Sequence, residues 1–223
     1  MKWNEDLIRD IRHVGAGPIS EKINNDDCNV YGTKREMDIV RDQSYILDRE
    51  MSDCNLAAIR EKFALIRNNC PAILEIGISR NQEHSACHIF FKDKLLKTKY
   101  VGIDINDREY LVNPKENIHV IRGSSSDVEA NMARFRELGI ESFGFIFIDG
   151  WHSINQVLTD WEYTRMLAPG GIVALHDTSE HPGPYLFIKA LDTTRWIVQE
   201  NACPTDCGIG FAQMQRIFPQ VVN

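Results

Sequence analysis

The chain has 223 residues, a net charge of -7, and 43% apolar and 26% charged side chains, a composition that suits one folded domain with a substantial core. The acidic balance contains no cluster of Lys and Arg, which argues against a nucleic-acid backbone as the main partner. The uncharged apolar runs fall far short of a membrane span, so no membrane partner is expected.

The N-terminal "MKWNEDLIRDIRH" is charged and lacks an apolar core and a small-residue cleavage site, which argues against a secretory signal and for a cytoplasmic protein. Residues 1–69 place polar turn clusters ("GAGP", "INNDDCN", "YGTKRE") between short helical patterns, and read as a helical extension or cap on a domain spanning 70–223. Two roles stay open for it, covering a pocket or forming a homo-oligomer. Near its end, Leu56, Ile59, Phe63 and Ile66 recur at three- and four-residue intervals and predict an amphipathic helix leading into the core.

Five strand-length apolar runs follow: "AILEIGI" (72–78), "YVGIDI" (100–105), "IHVIRG" (118–123), "FGFIFID" (143–149) and "GGIVALHD" (170–177). Helical patterns separate them, in "SACHIFFKDKLLK", "DVEANMARFRELG" and "INQVLTDWEYTRMLA", and this alternation predicts a parallel sheet with helices on both faces. After a last helix in "YLFIKALDTT", the segments "RWIVQE" and "GIGFAQMQ" are joined only by "NACPTDC", too short for a parallel crossover. The sheet therefore ends in a hairpin with one antiparallel strand. The cysteines, at 28, 54, 70, 87, 203 and 207, are mostly isolated and are expected to be reduced thiols. The pair in "CPTDC" (203–207) could hold zinc or close a small disulfide, but no partner pair follows to complete a tetrahedral zinc site.

In an open parallel sheet, ligands bind where the carboxyl ends of the strands turn into loops. The five runs bring Glu75 and Gly77, Asp104, "GSSSD" (123–127), Asp149 with His152, and His176 with Asp177 to that rim. Each has a plainer reading: Asp127 could cap the following helix, Gly77 could serve a tight turn, Asp104 could belong to a turn with Asn106, and His152 could face solvent. Together they suggest a nucleotide site, because a carboxylate after the second strand can accept both ribose hydroxyl protons.

In their order and spacing, "AILEIGI", "YVGIDI", "IRGSSSD", "FIFIDGWHS" and "LAPGGIVALHDT" resemble the motif series of class I S-adenosylmethionine-dependent methyltransferases, and the later motifs are similar to methyltransferase family 24. The resemblance spans about residues 70–215 and implies a Rossmann-like, doubly wound, mostly parallel seven-stranded sheet with an antiparallel last strand. It implies S-adenosylmethionine as cofactor, with Glu75, Gly77 and Asn81 at its methionine end, Asp104 on the ribose, Ser125 and Asp127 on the adenine, and Asp149 beside the methyl donor. Asn81 stands where the family has a second glycine, and Ser85 lies two places beyond the family's serine. Asparagine tolerates the left-handed backbone that such a turn uses.

Metal-dependent O-methyltransferases that this group resembles carry an Asp after the fourth strand and an acidic pair after the fifth. Asp149 and Asp177 match, and the third ligand is His176 or Thr178 according to which pattern applies. Magnesium prefers oxygen donors, and a histidine shifts the preference toward manganese, iron or zinc. His152 falls at the offset of the family's catalytic base and titrates near neutral pH. His181 is an alternative base or ligand, Trp151 a candidate wall of the substrate pocket, and "HPGPY" (181–185) a rigid loop over the site. The implied reaction is methyl transfer to a hydroxyl of a small molecule, a sugar or a phenolic compound. The altered glycine loop leaves open a non-catalytic binding module. A nicotinamide-dependent dehydrogenase shares the architecture but not the G-x-G-x-x-G fingerprint.

Overall fold

Residues 51–79, 85–86, 98–179, 181–200, 202–203 and 207–215 are described by a computed structural model. Strands β1 (Ala72–Ile76), β2 (Lys99–Asp104), β3 (Ile118–Arg122), β4 (Phe143–Ile148), β5 (Leu167–His176), β6 (Trp196–Gln199) and β7 (Ile209–Met214) form one sheet in the order β3-β2-β1-β4-β5-β7-β6. The helices are α1 (Asp53–Ile66), α2 (Val128–Glu137), α3 (Ile154–Trp161) and α4 (Pro182–Lys189). β1 to β5 pair in parallel, and β7 runs antiparallel to both β5 and β6, as the short link before it requires.

The central strands are apolar throughout because both faces are covered. Leu74, Ile76, Ile146, Ile148, Val173 and Leu175 meet α2, α3 and α4 through Phe135, Val157, Trp161 and Phe187. Their alternates, Ile73, Phe145, Phe147, Ile172 and Ala174, meet α1 through Ile59 and Phe63, with the Phe63 ring edge-on to Phe145 at 5.9 Å. The helical stretch that ends the expected extension thus packs as a layer on the sheet. Residues 1–50 lie outside the described residues, as do Asn81 and most of the helix expected over 85–97.

Three expectations are corrected. Cys54 and Cys203 form a disulfide, while Cys70 and Cys207 are buried thiols as expected. The bond ties the first turn of α1 to the approach to β7. Cys28 and Cys87 lie outside the described residues. The helical pattern over 154–168 ends at Trp161, gives way to a 3-10 turn at Glu162–Met166, and β5 begins at Leu167. Pro169 keeps the chain from returning to helix after that turn, since the residue before a proline is pushed toward extended backbone. "HPGPY" is the start of α4, with Pro182 in the first turn, where its missing N–H removes no helical bond.

Candidate active site

The strand order places β1 between β2 and β4, where successive connections reverse direction and a crevice opens at the carboxyl rim. Gly77 makes that rim possible. Its φ is +79°, and a Cβ there would lie 2.1 Å from the Asp149 carbonyl oxygen, so only glycine lets the turn after β1 touch the end of β4. Asp149 N–H reciprocates by donating to the Ile76 carbonyl at 2.8 Å.

Asp104 is nearly buried at the end of β2. Its Oδ2 accepts from Ile78 N at 2.9 Å and Arg108 Nε at 3.3 Å, and its Oδ1 from Asn106 N at 2.7 Å and Nδ2 at 3.1 Å. The chain's own donors therefore fill the fork expected for a ribose, and a sugar would have to replace the side-chain donors of Asn106 or Arg108. Ser125 Oγ accepts from Gln156 Nε2 at 3.0 Å, and its carbonyl accepts from the Tyr163 hydroxyl at 2.7 Å. Asp127 occupies the N-cap position of α2 without a capping side-chain bond, so its exposed carboxylate stays available on the rim. Glu75 is fully buried: Oε1 accepts from Ala86 N at 2.9 Å and Oε2 from the Tyr100 hydroxyl. It anchors the chain beyond the β1 turn.

The acids and imidazoles after β4 and β5 converge. His176 Nδ1 lies 3.1 Å from Asp149 Oδ1 and 3.2 Å from Asp177 Oδ1, while Asp177 Oδ2 lies 2.7 Å from His152 Nε2. Asp177 thus bridges two imidazoles, from a backbone at φ 59° that few residues other than glycine adopt. The His152 ring stacks on His181, with centroids 4.1 Å apart and planes 3° from parallel. On the far side of His176, Nε2 meets Asn55 Nδ2 at 3.0 Å.

The electrostatics follow from burial and neighbours. Burial opposes charge on Asp177, yet the His176 and His152 rings outweigh it and hold the carboxyl well below the usual range. Burial also opposes charge on His176 and His152, yet the carboxylates beside them raise both, His176 well above the ordinary imidazole value. Asp149 moves up, chiefly through burial.

A family described as "Methyltransferase domain" matches residues 74–178, the stretch that runs from β1 through Asp149, His152, His176 and Asp177. Residues 74–178 are a methyltransferase domain. No curated sequence matches the chain. Among solved structures, MycE methyltransferase from the mycinamycin biosynthetic pathway, in complex with Mg and SAH, is similar at 17% identity over 75% of this chain and 51% of that one, with a TM-score of 0.54. The chain thus spans about half the length of MycE. A second MycE complex, which also contains mycinamycin VI, is similar at 17% identity over 72% of this chain and 48% of that one, with a TM-score of 0.55. CalS11, a calicheamicin methyltransferase, is similar at 12% identity over 74% of this chain and 80% of that one, with a TM-score of 0.54.

Several residues that shape this methyltransferase domain's site were not singled out from sequence. Asn55 comes from α1, outside the matched stretch. Gln156 bridges Ser125 and Asp160, donating to Asp160 Oδ1 at 2.8 Å. Its position four before Asp160 on one helix face was the only sequence signal. Arg108 stands four after Asp104. Thr178, the alternative third ligand named from sequence, is fully buried, and its Oγ1 has no hydrogen-bond partner.

Asp149, His176 and Asp177 fit a divalent cation. The separations of 3.1 and 3.2 Å between their donor atoms lie between the edges of an octahedron and a tetrahedron built on bonds of about 2.1 Å. One nitrogen among the oxygens favours manganese, iron or zinc over magnesium. His152, Asp177 and His181 also lie together, but the ring lone pairs of two parallel stacked imidazoles do not converge on one ion.

Proposed function

We propose that the protein is an S-adenosylmethionine-dependent O-methyltransferase acting on a hydroxyl of a small molecule, with His152 as general base and Asp149, His176 and Asp177 as holders of a divalent cation. The observation that carries this reading is the 2.7 Å contact of His152 Nε2 with Asp177 Oδ2, inside an acid cluster on the rim of a methyltransferase domain. Nε2 lies against the carboxylate, within ion-pair distance but off the hydrogen-bond direction, which leaves Nδ1 as the nitrogen to take a proton. The Asp177 charge then stabilises the imidazolium that forms. A cation bound beside it would lower the pKa of the substrate hydroxyl. The hydroxyl oxygen forms a bond to the sulfonium methyl, the carbon–sulfur bond breaks with its electron pair going to sulfur, and the proton passes to His152.

A sugar or phenolic substrate is supported by Trp151, which is 60% exposed beside His152 and offers an aromatic face to a ring. MycE, on a similar fold, was solved in complex with mycinamycin VI. Calorimetric titration with S-adenosylmethionine, with and without manganese or magnesium, tests the cofactor, with a nicotinamide dinucleotide as control. Saturable binding of the methyl donor is expected, and its absence under every metal condition overturns the reading. Replacing His152 with Gln should lower turnover about 10²- to 10⁴-fold while leaving cofactor binding intact. Unchanged turnover would remove His152 from the base role.

A further inference from the structure

His176 is locked between two sets of partners, and Asn55 supplies the far one. Asn55 is fully buried, its Nδ2 lies 3.0 Å from His176 Nε2, and its Oδ1 is buried without a hydrogen-bond partner. The backbone at Asn55 is pinned from both sides. Ser52 Oγ accepts from Asn55 N–H at 3.1 Å and caps α1, and the neighbouring Cys54 is bonded to Cys203. The carboxamide can therefore turn about its own bond without α1 moving.

Its two orientations have opposite consequences. With the NH₂ group inward, Nε2 accepts a hydrogen bond, so the ring proton of a neutral imidazole sits on Nδ1, between the Asp149 and Asp177 carboxylates. With the carbonyl inward, Nε2–H donates to Oδ1, the orphaned oxygen gains a partner, and Nδ1 keeps a lone pair facing the carboxylates. Only the second arrangement offers three donors to one cation.

We propose that Asn55 is a positioning residue that sets which ring nitrogen of His176 keeps its proton once the ring is neutral, and thereby whether His176 Nδ1 is the nitrogen that opens to a cation between Asp149 and Asp177. The proposal rests on the cation reading of this cluster, and it joins α1, outside the matched stretch, to the methyltransferase domain. Hydrogen bonds to the second nitrogen of a ligating histidine fix its tautomer and its ligand strength.

The test uses the full chain, labelled with nitrogen-15, follows His176 by long-range nitrogen–proton correlation up to a pH at which the ring is neutral, and reads its tautomer there before and after addition of manganese or, for a diamagnetic spectrum, zinc. Calorimetry with the same ions gives affinity. Asn55→Asp can only accept, so it should hold the proton on Nε2 without metal and bind the ion at least as tightly as the wild type. Asn55→Leu removes the partner and should weaken ion binding about 10- to 100-fold. An identical tautomer and affinity in all three proteins overturns the proposal. If no protein binds an ion but Asn55→Asp still moves the proton to Nε2, the cation reading fails while the positioning role of Asn55 stands.

Discussion

Asp160 offers a sharp physical test of the rim. It lies on α3, is fully buried, and its Oδ2 has no hydrogen-bond partner, while Oδ1 accepts from Gln156. Burial pushes its carboxyl from 3.8 up to about 7, with the hydrogen bonds from Ser125 and Gln156 only partly offsetting it. A carboxyl raised on folding binds more protons in the native than in the unfolded chain, so stability falls as pH rises. The loss begins near the unfolded value of 3.8 and is complete above about 7. At about 1.4 kcal/mol per tenfold change in acidity, that interval corresponds to at most about 4 kcal/mol. Asp160→Asn keeps the shape and the acceptor for Gln156 but cannot ionise. Urea unfolding of both proteins from pH 4 to pH 8 should show the variant gaining on the wild type as pH rises, by up to about 4 kcal/mol. Parallel stability curves would refute the assignment of a buried, weakly acidic carboxyl.

The raised affinity of His152 for its proton predicts that turnover falls as pH drops, with a midpoint above the ordinary imidazole value of 6.5. A midpoint below 6.5 in a pH–rate profile contradicts the Asp177 pairing. Gly183→Ala would put a Cβ 2.1 Å from the His152 carbonyl oxygen and push α4 outward, which should lower stability by about 1–3 kcal/mol in thermal unfolding. Turnover should fall by up to about 10²-fold as His152 is displaced, and an unchanged rate would show that the loop tolerates the shift. Asp104→Asn should weaken S-adenosylmethionine binding roughly 10- to 100-fold by calorimetry, the loss expected for hydrogen bonds to a charged group. An unchanged affinity would make Asp104 an anchor for the loop alone.

The strands were legible because each is an apolar run of strand length between helical patterns, and a sheet buried on both faces leaves that signature. The hairpin was legible because the link from Glu200 to Gly208 is too short for any other connection. Asp149, His152, His176 and Asp177 could be singled out because an acid or imidazole directly after an apolar strand has few plain explanations. What sequence could not give was partnership across distance. Cys54 and Cys203 are 149 residues apart, and nothing local marks either as the other's partner. Asn55 sits among amphipathic-helix residues, where an asparagine ordinarily faces solvent, and its burial follows only from the docking of α1. Asp104 shows the opposite limit: its position after β2 was legible, but its engagement with Arg108 and Asn106 depends on how the following loop folds back.

Both residues that orient the acid–imidazole cluster lie outside the stretch shared with the family, Asn55 before it and His181 after it. The shared stretch supplies a sheet rim with its acids, whereas the angle of each imidazole is set by α1 and by the start of α4. Fold likeness at 17% identity to MycE therefore does not extend to which nitrogen is free or which ring is stacked. The same reasoning bears on where the working unit begins. Removing the chain before residue 70 would strip Ile59 and Phe63 from the Phe145 face of the sheet and take away Asn55 and one half of the Cys54–Cys203 bond. We infer that the catalytic unit starts upstream of Asp53, so that α1 acts as part of the active-site wall as well as a layer of the core.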